Sequence, residues 1–389
     1  MATFAPAKIK AHSLTGRLTY RLLYESFRAV KRNRGAAGID KVSIKMFEAN
    51  LVENLVSVLA ALKDGSIETK PLRRQYIDKG NGKLRPLGIP AVRDRVAQEA
   101  LRRILSPIFE PLFHEASYGF RPGRNCHMAL EQVLREHENG HQVILDADIQ
   151  GFFDNLPHAV IMQAVAAQVA DGNILNLIEK FLRAGVMENG VFKPTTVGTP
   201  QGGVISPLLA NIVLNHLDWQ LQEHGFRFVR YADDFVVLTQ TQAQAEEALA
   251  VVTRCLETLG LSLSPEKTRI TNYRRGYSFL GFVLSRRSRR MREKSVKKFQ
   301  DRIRQLTPRH HNLDANVIKK LNQVIRGTAH YFATPWATTR WQFRRQESWI
   351  RARLRAMWKK CRRRTDNYRL PNKKFAQLGL LNLTSFCAT

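Results

Sequence analysis

A pair of adjacent acids, Asp233 and Asp234, interrupts the otherwise apolar segment RFVRYADDFVVLTQ at residues 227–240 and constrains the fold strongly. The flanking apolar residues predict two buried strand arms that meet at the acids. Neighbouring carboxylates repel and raise each other's pKa, so a buried pair without a partner is costly. A purely structural role is therefore the less favoured interpretation of this pair.

A third acid, Asp148, lies at the end of the strand that we predict in QVILDADIQGFFDNL. Mg²⁺ prefers hard oxygen ligands and is usually held by a few carboxylates together with substrate phosphates and water. Two such ions can activate an attacking hydroxyl and stabilise the leaving oxygen of an in-line phosphoryl transfer. The three acids therefore predict a metal-dependent phosphoryl-transfer site, whereas Asp146 or Asp154 could merely cap a turn.

Strand and helix patterns alternate irregularly as far as about residue 282, and only helical patterns follow. Residues 73–90 predict a β-hairpin, because Asn81-Gly82 is a strong turn signal between two short strands. Helical periodicity predicts a long helix over residues 91–109 and further helices over 293–306, 314–333 and 336–362. The change of pattern places a domain boundary near residues 283–292.

The positive charge is concentrated in the last part of the chain. The net charge is +29, and residues 283–389 hold 28 Lys and Arg against 5 Asp and Glu, whereas the rest of the chain holds 34 against 28. Aromatic residues are interleaved with this charge: Tyr331, Phe332, Trp336, Trp341, Phe343, Trp349 and Trp358. A solubilising tail does not need such rings, so we expect a folded lobe that binds a nucleic acid.

Several protein classes are disfavoured by composition. No apolar run approaches the roughly 18 residues that a membrane span requires, and the N-terminus lacks the apolar core of a signal peptide. The four cysteines show no C-x-x-C spacing, which argues against a zinc ribbon or a disulfide framework. We therefore expect a cytoplasmic protein with no membrane partner.

The motifs around the acids resemble the palm of a reverse transcriptase. YADD follows DADIQGFF and GTPQGGVISPLLANIVLNHLD in the order typical of the group II intron-encoded reverse transcriptase/maturase family of bacteria. The segment from GKLRPLGIP to SYGFRPGRNCHMAL resembles the fingers of that family, and NRGAAGIDKVS its N-terminal block. YSFLGFVL resembles its primer-contacting hairpin and LNQVIRGTAHYF its thumb. Many members also carry a nuclease with paired cysteines, which we do not find, so we expect no nuclease activity.

The resemblance implies an α+β right-hand polymerase fold. It has fingers, a ferredoxin-like palm with the YADD hairpin, and an all-α thumb/maturase domain. On this basis residues 1–60 are predicted to form an N-terminal helical extension, 61–282 the fingers and palm, and 283–389 the basic thumb/maturase domain.

The resemblance also implies the catalytic residues. Asp148, Asp233 and Asp234 would be the catalytic acids, and the Ile149 carbonyl would help to hold the nucleotide-bound metal. The expected cofactor is a pair of Mg²⁺ ions, with Mn²⁺ as a substitute. Asp148 and Asp233 are the expected bridging ligands, and Asp234 would contact metal less directly.

The nucleotide-binding residues implied by the resemblance are Lys79, Arg85, Phe153, Gln201 and Lys267. Lys79 and Arg85 would contact the triphosphate, and Phe153 would exclude a 2′-hydroxyl. Gln201 would touch the incoming nucleotide, and Lys267 would lie near it. Alternatives remain open: Lys79 and Arg85 as exposed hairpin charges, Phe153 as a core ring and Lys267 as a surface charge.

The nucleic-acid contacts implied by the resemblance come from three segments. Arg121 and Arg124 of SYGFRPGR would contact the template strand, although this loop could instead brace the palm. Gly202 and Gly203 would let nucleotide or template approach the backbone closely. The predicted contacts to the primer are Phe279 and Gly281.

The predicted function is RNA-dependent DNA synthesis, in which deoxynucleotides are added to a DNA or RNA primer on an RNA template. The basic lobe predicts an additional maturase role with a structured group II intron RNA as partner. The alternative is a domesticated or defence-associated reverse transcriptase that makes cDNA from a companion or cellular RNA.

Overall fold

The computed structural model describes residues 4, 7–78, 84–199, 202–360, 368 and 370–387. The chain forms two compact units, Met1–Ile270 and Thr271–Thr389. The division lies before the boundary that composition suggested near 283–292, because the short strands that follow Ile270 belong with the helices of the second unit.

The first unit contains ten helices and eight strands among the described residues, with β8 ending just beyond it. In chain order they are α1 (Tyr20–Arg32), α2 (Ile44–Ala49), α3 (Leu51–Lys63), β1 (Leu72–Asp78), β2 (Leu84–Ile89), α4 (Val92–Phe109), α5 (Cys126–Glu138), β3 (Val143–Asp148), α6 (Phe152–Asn155), α7 (His158–Ala166), α8 (Gly172–Leu182), β4 (Val186–Glu188), β5 (Val191–Lys193), α9 (Ser206–Glu223), β6 (Arg227–Tyr231), β7 (Asp234–Thr239), α10 (Gln242–Thr258) and β8 (Arg269–Asn272).

The N-terminal helices belong to the core of the first unit. Thr19 caps α1 by accepting a hydrogen bond from the backbone N–H of Leu22, and the buried face of the helix presents Leu23, Phe27 and Val30. This face packs against α4, whose interior is almost continuously buried. Helix α1, within the predicted N-terminal extension, is therefore packed into the first unit.

A four-stranded sheet with the order β6-β7-β3-β8 carries the three acids. Strand β7 pairs antiparallel with both β6 and β3, and its residues Phe235–Leu238 are buried. Helices α9 and α10 pack against each other, and α10 also packs against β3 and β7. The middle strands are covered by helices, which explains why they are nearly all apolar in sequence.

A second sheet with the order β2-β1-β4-β5 forms the region predicted as fingers. Strands β1 and β2 pair antiparallel from Arg73↔Ile89 to Asp78↔Leu84, which confirms the predicted hairpin arms. Its predicted Asn81-Gly82 turn lies outside the described residues. The β4–β5 hairpin, which adds to β1 through β4, was not predicted.

The second unit combines a small sheet with helices. Its elements are β9 (Tyr277–Phe279), β10 (Phe282–Leu284), β11 (Arg289–Met291), α11 (Glu293–Leu306), α12 (Ala315–Phe332), α13 (Arg340–Lys359) and α14 (Asn372–Gln377). The sheet order is β11-β10-β9: β9 and β10 form the hairpin predicted in YSFLGFVL, whereas β11 is an additional strand in the region predicted to be all-α. The buried Phe282 ring lies 4.8 Å from Phe332 and 5.0 Å from Trp336, which ties the sheet to the helices.

The three helices predicted beyond residue 292 are confirmed to within a few residues at each end. Among the residues that the structure describes, no helix is both long and apolar enough to cross a membrane.

Candidate active site

The acids Asp233 and Asp234 lie at the tight connection between β6 and β7. Tyr231 pairs with Asp234 across the two strands, so only Ala232 and Asp233 form the loop between them. Ala232 adopts a left-handed backbone conformation with φ of 59°. Burial and a hydrogen bond with the Cys126 side chain raise the pKa of Tyr231 to about 12.

Asp148, the last residue of β3, lies directly opposite Asp234 on β7. Directly paired residues of antiparallel strands project to the same face of a sheet, so these two carboxylates share one face. Apolar neighbours such as Ala147 and Phe235 project to the other face and are buried. Strand alternation therefore brings together acids that are 86 residues apart in sequence.

The Asp233 carboxyl is under the influence of three other predicted site residues. Burial is the largest effect on its pKa and raises it above the usual value, and the negative charge of Asp148 raises it further. Its own backbone N–H and the positive charges of Arg85 and Lys267 lower it. Two acidic residues, Asp148 and Asp233, and two basic residues, Arg85 and Lys267, were predicted from separate motifs and influence one another electrostatically in the structure.

Lys267 contacts one of the three acids, Asp148, directly. Its ammonium donates a hydrogen bond of 2.8 Å to Asp148 Oδ2, and both side chains are substantially exposed to solvent. Two residues further along the chain, Arg269 pairs at 3.2 Å with Asp146, which lies on the same strand face as Asp148. An exposed pair of this kind adds little stability, so Lys267 is free to exchange its partner.

The acids fit a divalent cation whose shell is completed by substrate. Among the described residues, no group of three or more His, Cys, Asp or Glu side chains forms a ready-made metal site. Hard cations at phosphoryl-transfer sites are held by one or two carboxylates together with phosphates and water. The Asp148 and Asp233 carboxylates meet that requirement.

The backbone at Ile149 is fixed on both sides. Ser264 N donates to Asp148 O at 2.7 Å, and Gln150 N donates to Ser262 O at 2.9 Å. Neither bond uses the Ile149 carbonyl, which fits its predicted role as an additional oxygen ligand. The Ile149 side chain is buried in the core.

Phe153 is half-buried at the start of the short helix α6. Its ring lies 5.1 Å from that of Phe152 in an edge-to-face arrangement, and Phe152 is buried in the core. The Phe153 carbonyl accepts a 2.7 Å hydrogen bond from Thr199 N, which anchors the segment leading to the predicted nucleotide loop. Of the two rings, Phe153 is thus the one with a surface to offer a ligand.

Two of the predicted nucleotide contacts, Lys79 and Gln201, lie outside the described residues. Gly202 is described and has φ of 118°, and a Cβ there would lie 2.5 Å from the carbonyl oxygen of Gly88. In this structure, the group that leaves no room for a side chain at position 202 is therefore the backbone of Gly88 in β2. Gly203 is half-buried at the same loop.

The SYGFRPGR loop is braced internally, and this changes the interpretation of Arg121. The Arg121 guanidinium is buried, pairs with Glu110 at 2.8 Å and donates to the carbonyls of His114 and Ser117 at 2.7 and 2.9 Å. These bonds favour the alternative interpretation of Arg121, a bracing role, and its contact with the template stays a prediction. Arg124 is half-buried and lies over the Tyr118 ring at 5.3 Å.

Phe120, in the same loop, is 61% exposed although its backbone is left-handed with φ of 58°. Its ring centroid lies 6.5 Å from that of Tyr231. The sequence placed Phe120 beside the predicted template contacts Arg121 and Arg124 but did not single it out, because its exposure is visible only in the structure.

The predicted primer contacts lie in the second unit. Phe279 is 1% exposed at the end of β9, which favours a core role for its ring, and its direct contact with the primer stays a prediction. Gly281 forms the β9–β10 turn with φ of 85°, and its carbonyl accepts hydrogen bonds from Arg292 N and Ser295 Oγ.

Two parts of the chain match known protein families. Residues 77–284 match the family described as reverse transcriptase (RNA-dependent DNA polymerase), and they include every predicted site residue. Residues 296–375 match the family described as group II intron, maturase-specific domain. The second match favours the intron-associated hypothesis over the domesticated or defence-associated alternative.

Individual relatives agree with these matches. Protein YkfC of Escherichia coli (strain K12) is 36% identical over 315 residues, which cover 70% of this chain and 83% of the relative. The group II intron-encoded protein LtrA of Lactococcus lactis subsp. cremoris is 41% identical over 212 residues, 54% of this chain and 35% of LtrA. Nuclear intron maturase 2 of Arabidopsis thaliana is 25% identical over 292 residues, 62% of this chain and 39% of the relative.

Proposed function

Because this chain belongs to the reverse transcriptase family and carries a group II intron maturase-specific domain, we propose that it copies RNA into DNA with two Mg²⁺ ions at Asp148 and Asp233. The observation that carries this proposal is the pairing of Asp148 with Asp234 across β3 and β7, with Asp233 in the adjoining loop and Lys267 bonded to Asp148 at 2.8 Å. When bound, the ions would activate the primer 3′ hydroxyl and stabilise the leaving oxygen.

The surrounding residues have separate tasks in this proposal. Arg85 is exposed on β2 and offers a bidentate fork to the triphosphate of a deoxynucleotide. Lys267 supplies a point charge on a flexible stem, which can serve either the Asp148 carboxylate or a phosphate. Phe153 presents its exposed side to the sugar, and Asp234 holds its strand position opposite Asp148.

The test is primer extension on an RNA template by Asp148→Ala and Asp233→Ala variants. Each is expected to abolish extension, because an open metal site loses a ligand that no neighbour replaces, while RNA binding stays nearly intact. Asp146→Asn is the matched control, since Asp146 lies two residues earlier on the same strand face and pairs with Arg269. Extension by either alanine variant at a near wild-type rate would overturn the proposal.

The second unit supports an accompanying role in binding intron RNA. On α13, the three arginines Arg340, Arg344 and Arg345 are exposed around Trp341, which is itself 51% exposed. Positive charge beside an exposed ring suits the phosphates and unstacked bases of a folded RNA. We propose that this strip contacts a structured group II intron RNA.

A further inference from the structure

A buried polar network lies directly behind the loop that carries Asp233. Arg230, the residue before Tyr231 in β6, and Asp218 of α9 are both 0% exposed. The Arg230 guanidinium donates from Nε to Asp218 Oδ1 at 2.7 Å and from Nη2 to Asp218 Oδ2. This two-pronged pairing uses one side of the guanidinium and fixes its plane.

The remaining nitrogen of Arg230 connects the pair to the catalytic loop. Its Nη1 donates to the Ala232 carbonyl at 3.0 Å and to Asn211 Oδ1 at 2.9 Å. Asn211, also on α9, donates in turn from Nδ2 to the Gly119 carbonyl at 2.8 Å. Helix α9 is therefore bonded, through two side chains, to both loops that meet at the acids.

The two loops meet in a strained and crowded arrangement. Ala232 and Phe120 are both left-handed, with φ of 59° and 58°, although neither is glycine. A Cβ on Gly119 would lie 2.3 Å from Ala232 N, so the loop backbones are in direct contact. Residues in such conformations persist only where their surroundings over-determine them.

Stability alone does not account for this network. Replacing a buried ion pair with well-packed apolar residues is often neutral or stabilising, because desolvation offsets the attraction between the charges. A guanidinium at this place has one advantage that apolar residues lack. It fixes the peptide carbonyl immediately before Asp233, and thereby the direction in which that carboxylate leaves the loop.

We infer that Arg230, Asp218 and Asn211 are positioning residues that hold the Ala232–Asp233 loop in the geometry required for metal binding. The inference rests on the proposed metal site at Asp148 and Asp233. It adds a support for that site from α9, the helix that follows the predicted nucleotide loop. Arg230, Asp218 and Asn211 would act without touching the substrate, because their polar atoms form hydrogen bonds within the protein.

Two variants separate positioning from folding. Arg230→Lys keeps a charge that can pair with Asp218, but the donors of an ammonium all start from one nitrogen and do not reproduce the planar fork that reaches Asp218, Ala232 O and Asn211 from three nitrogens. Asn211→Ala removes the bonds to Arg230 and to Gly119 while leaving the ion pair intact. For both we expect kcat of primer extension to fall about 10- to 100-fold, with the Mg²⁺ concentration for half-maximal rate raised and the KM for deoxynucleotide little changed.

Leu217→Ala is the matched control, because Leu217 is fully buried on the same helix beside Asp218 and has no polar bond to the loop. It is expected to lower the melting temperature while keeping the wild-type kcat and Mg²⁺ response at a temperature where it is folded. Asn211→Gln or Asn211→Asp, which retain an acceptor for Arg230, should recover part of the loss seen in Asn211→Ala.

The inference is overturned if folded Asn211→Ala extends primers with the wild-type kcat and Mg²⁺ response, or if Leu217→Ala shows the same kinetic changes. Wild-type protein and Asp233→Ala are assayed alongside. An inactive wild type or an active Asp233→Ala would instead contradict the proposed function, so the two failures are distinguishable.

Discussion

At the scale of single residues, we propose that Phe153 selects the sugar of the incoming nucleotide. Its ring is half-exposed while the neighbouring Phe152 ring is buried, and its backbone is held by Thr199. A ring fixed in this way can exclude one additional hydroxyl from a sugar by contact alone. Steric selection of this kind requires a rigid support, which the Phe152 contact and the Thr199 bond supply.

We therefore expect Phe153→Ala to admit ribonucleotides. The ratio of kcat/KM for a deoxynucleotide to that for the matching ribonucleotide should fall by on the order of 10- to 200-fold, the range that one small group contributes to discrimination. The measurement is single-nucleotide extension with each substrate on one RNA template. Phe152→Leu, a core substitution, should lower stability and keep the ratio, and an unchanged ratio in Phe153→Ala would refute the role.

Arg121 shows why a residue's function cannot be settled from its motif alone. A basic residue beside Tyr118 and Phe120 resembles a template contact, and only burial distinguishes that role from a brace. The bonds to Glu110, His114 and Ser117 arise from a local fold of the loop that no periodicity encodes. The same limit applies to Arg230 and Asp218, which we missed because their pairing depends on how α9 packs.

At the scale of elements, His158 links helix α7 to the segment before the predicted nucleotide loop. Its Nε2 donates a 2.7 Å hydrogen bond to the Gly198 carbonyl, and the side chain is buried. Burial lowers the pKa of His158 below 6.5, although the Gly198 carbonyl partly opposes this shift. The folded protein therefore favours neutral His158, whereas the unfolded chain takes up a proton more readily.

The sign of the resulting pH dependence follows from linkage. Stability from this group is fully present above about pH 6.5 and is lost as the pH falls from there through the folded pKa. We expect the melting temperature of the wild type to decline over that interval more steeply than that of His158→Gln. Thermal melts between about pH 7.5 and 5.5 measure this difference.

His12→Gln is the control for the His158 experiment, because His12 is exposed. It should follow the wild-type curve. Parallel curves for wild type and His158→Gln would show that the His158 proton is not linked to folding. His216, whose pKa burial also lowers, remains in all three proteins and cancels in the comparison.

The elements that sequence predicted best are those with a strong period or a strong turn signal. Helix α4 and the two arms at the acids are confirmed because a buried helix and buried strands leave clear apolar patterns. The β4–β5 hairpin was missed even though Asn189-Gly190 is a turn signal, because its strands are only three residues long and β5 is exposed. Strand β11 consists of Arg289–Met291, a composition that no propensity identifies as a strand.

At the scale of the whole molecule, charge and composition predicted a nucleic-acid partner better than they predicted where the two structural units divide. The excess of Lys and Arg after residue 282 indicated a nucleic-acid-binding lobe, and residues 296–375 match the maturase-specific domain. The structural division at Ile270 was not visible in composition. Backbone pairing among β9, β10 and β11 sets that division, and pairing partners are not encoded in local charge.

If the second unit binds RNA as proposed, the affinity for RNA should fall with rising salt concentration, and part of that dependence should come from individual arginine side chains. Each phosphate contact contributes roughly one unit to the slope of log affinity against log salt concentration. Arg344→Gln combined with Arg345→Gln should therefore reduce the magnitude of that slope by about one to two for a structured group II intron RNA. Fluorescence anisotropy at several salt concentrations measures the slope.

A matched control distinguishes a specific strip from general charge. Arg183 of the first unit is exposed and already paired with Glu179 at 2.7 Å, so Arg183→Gln should leave the slope unchanged. Primer extension on a short RNA template should survive the double substitution, because Asp148, Asp233 and their supports lie in the first unit. Equal losses from Arg183→Gln and from the double variant would mean that the RNA responds to net charge, and the strip on α13 would then have no special role.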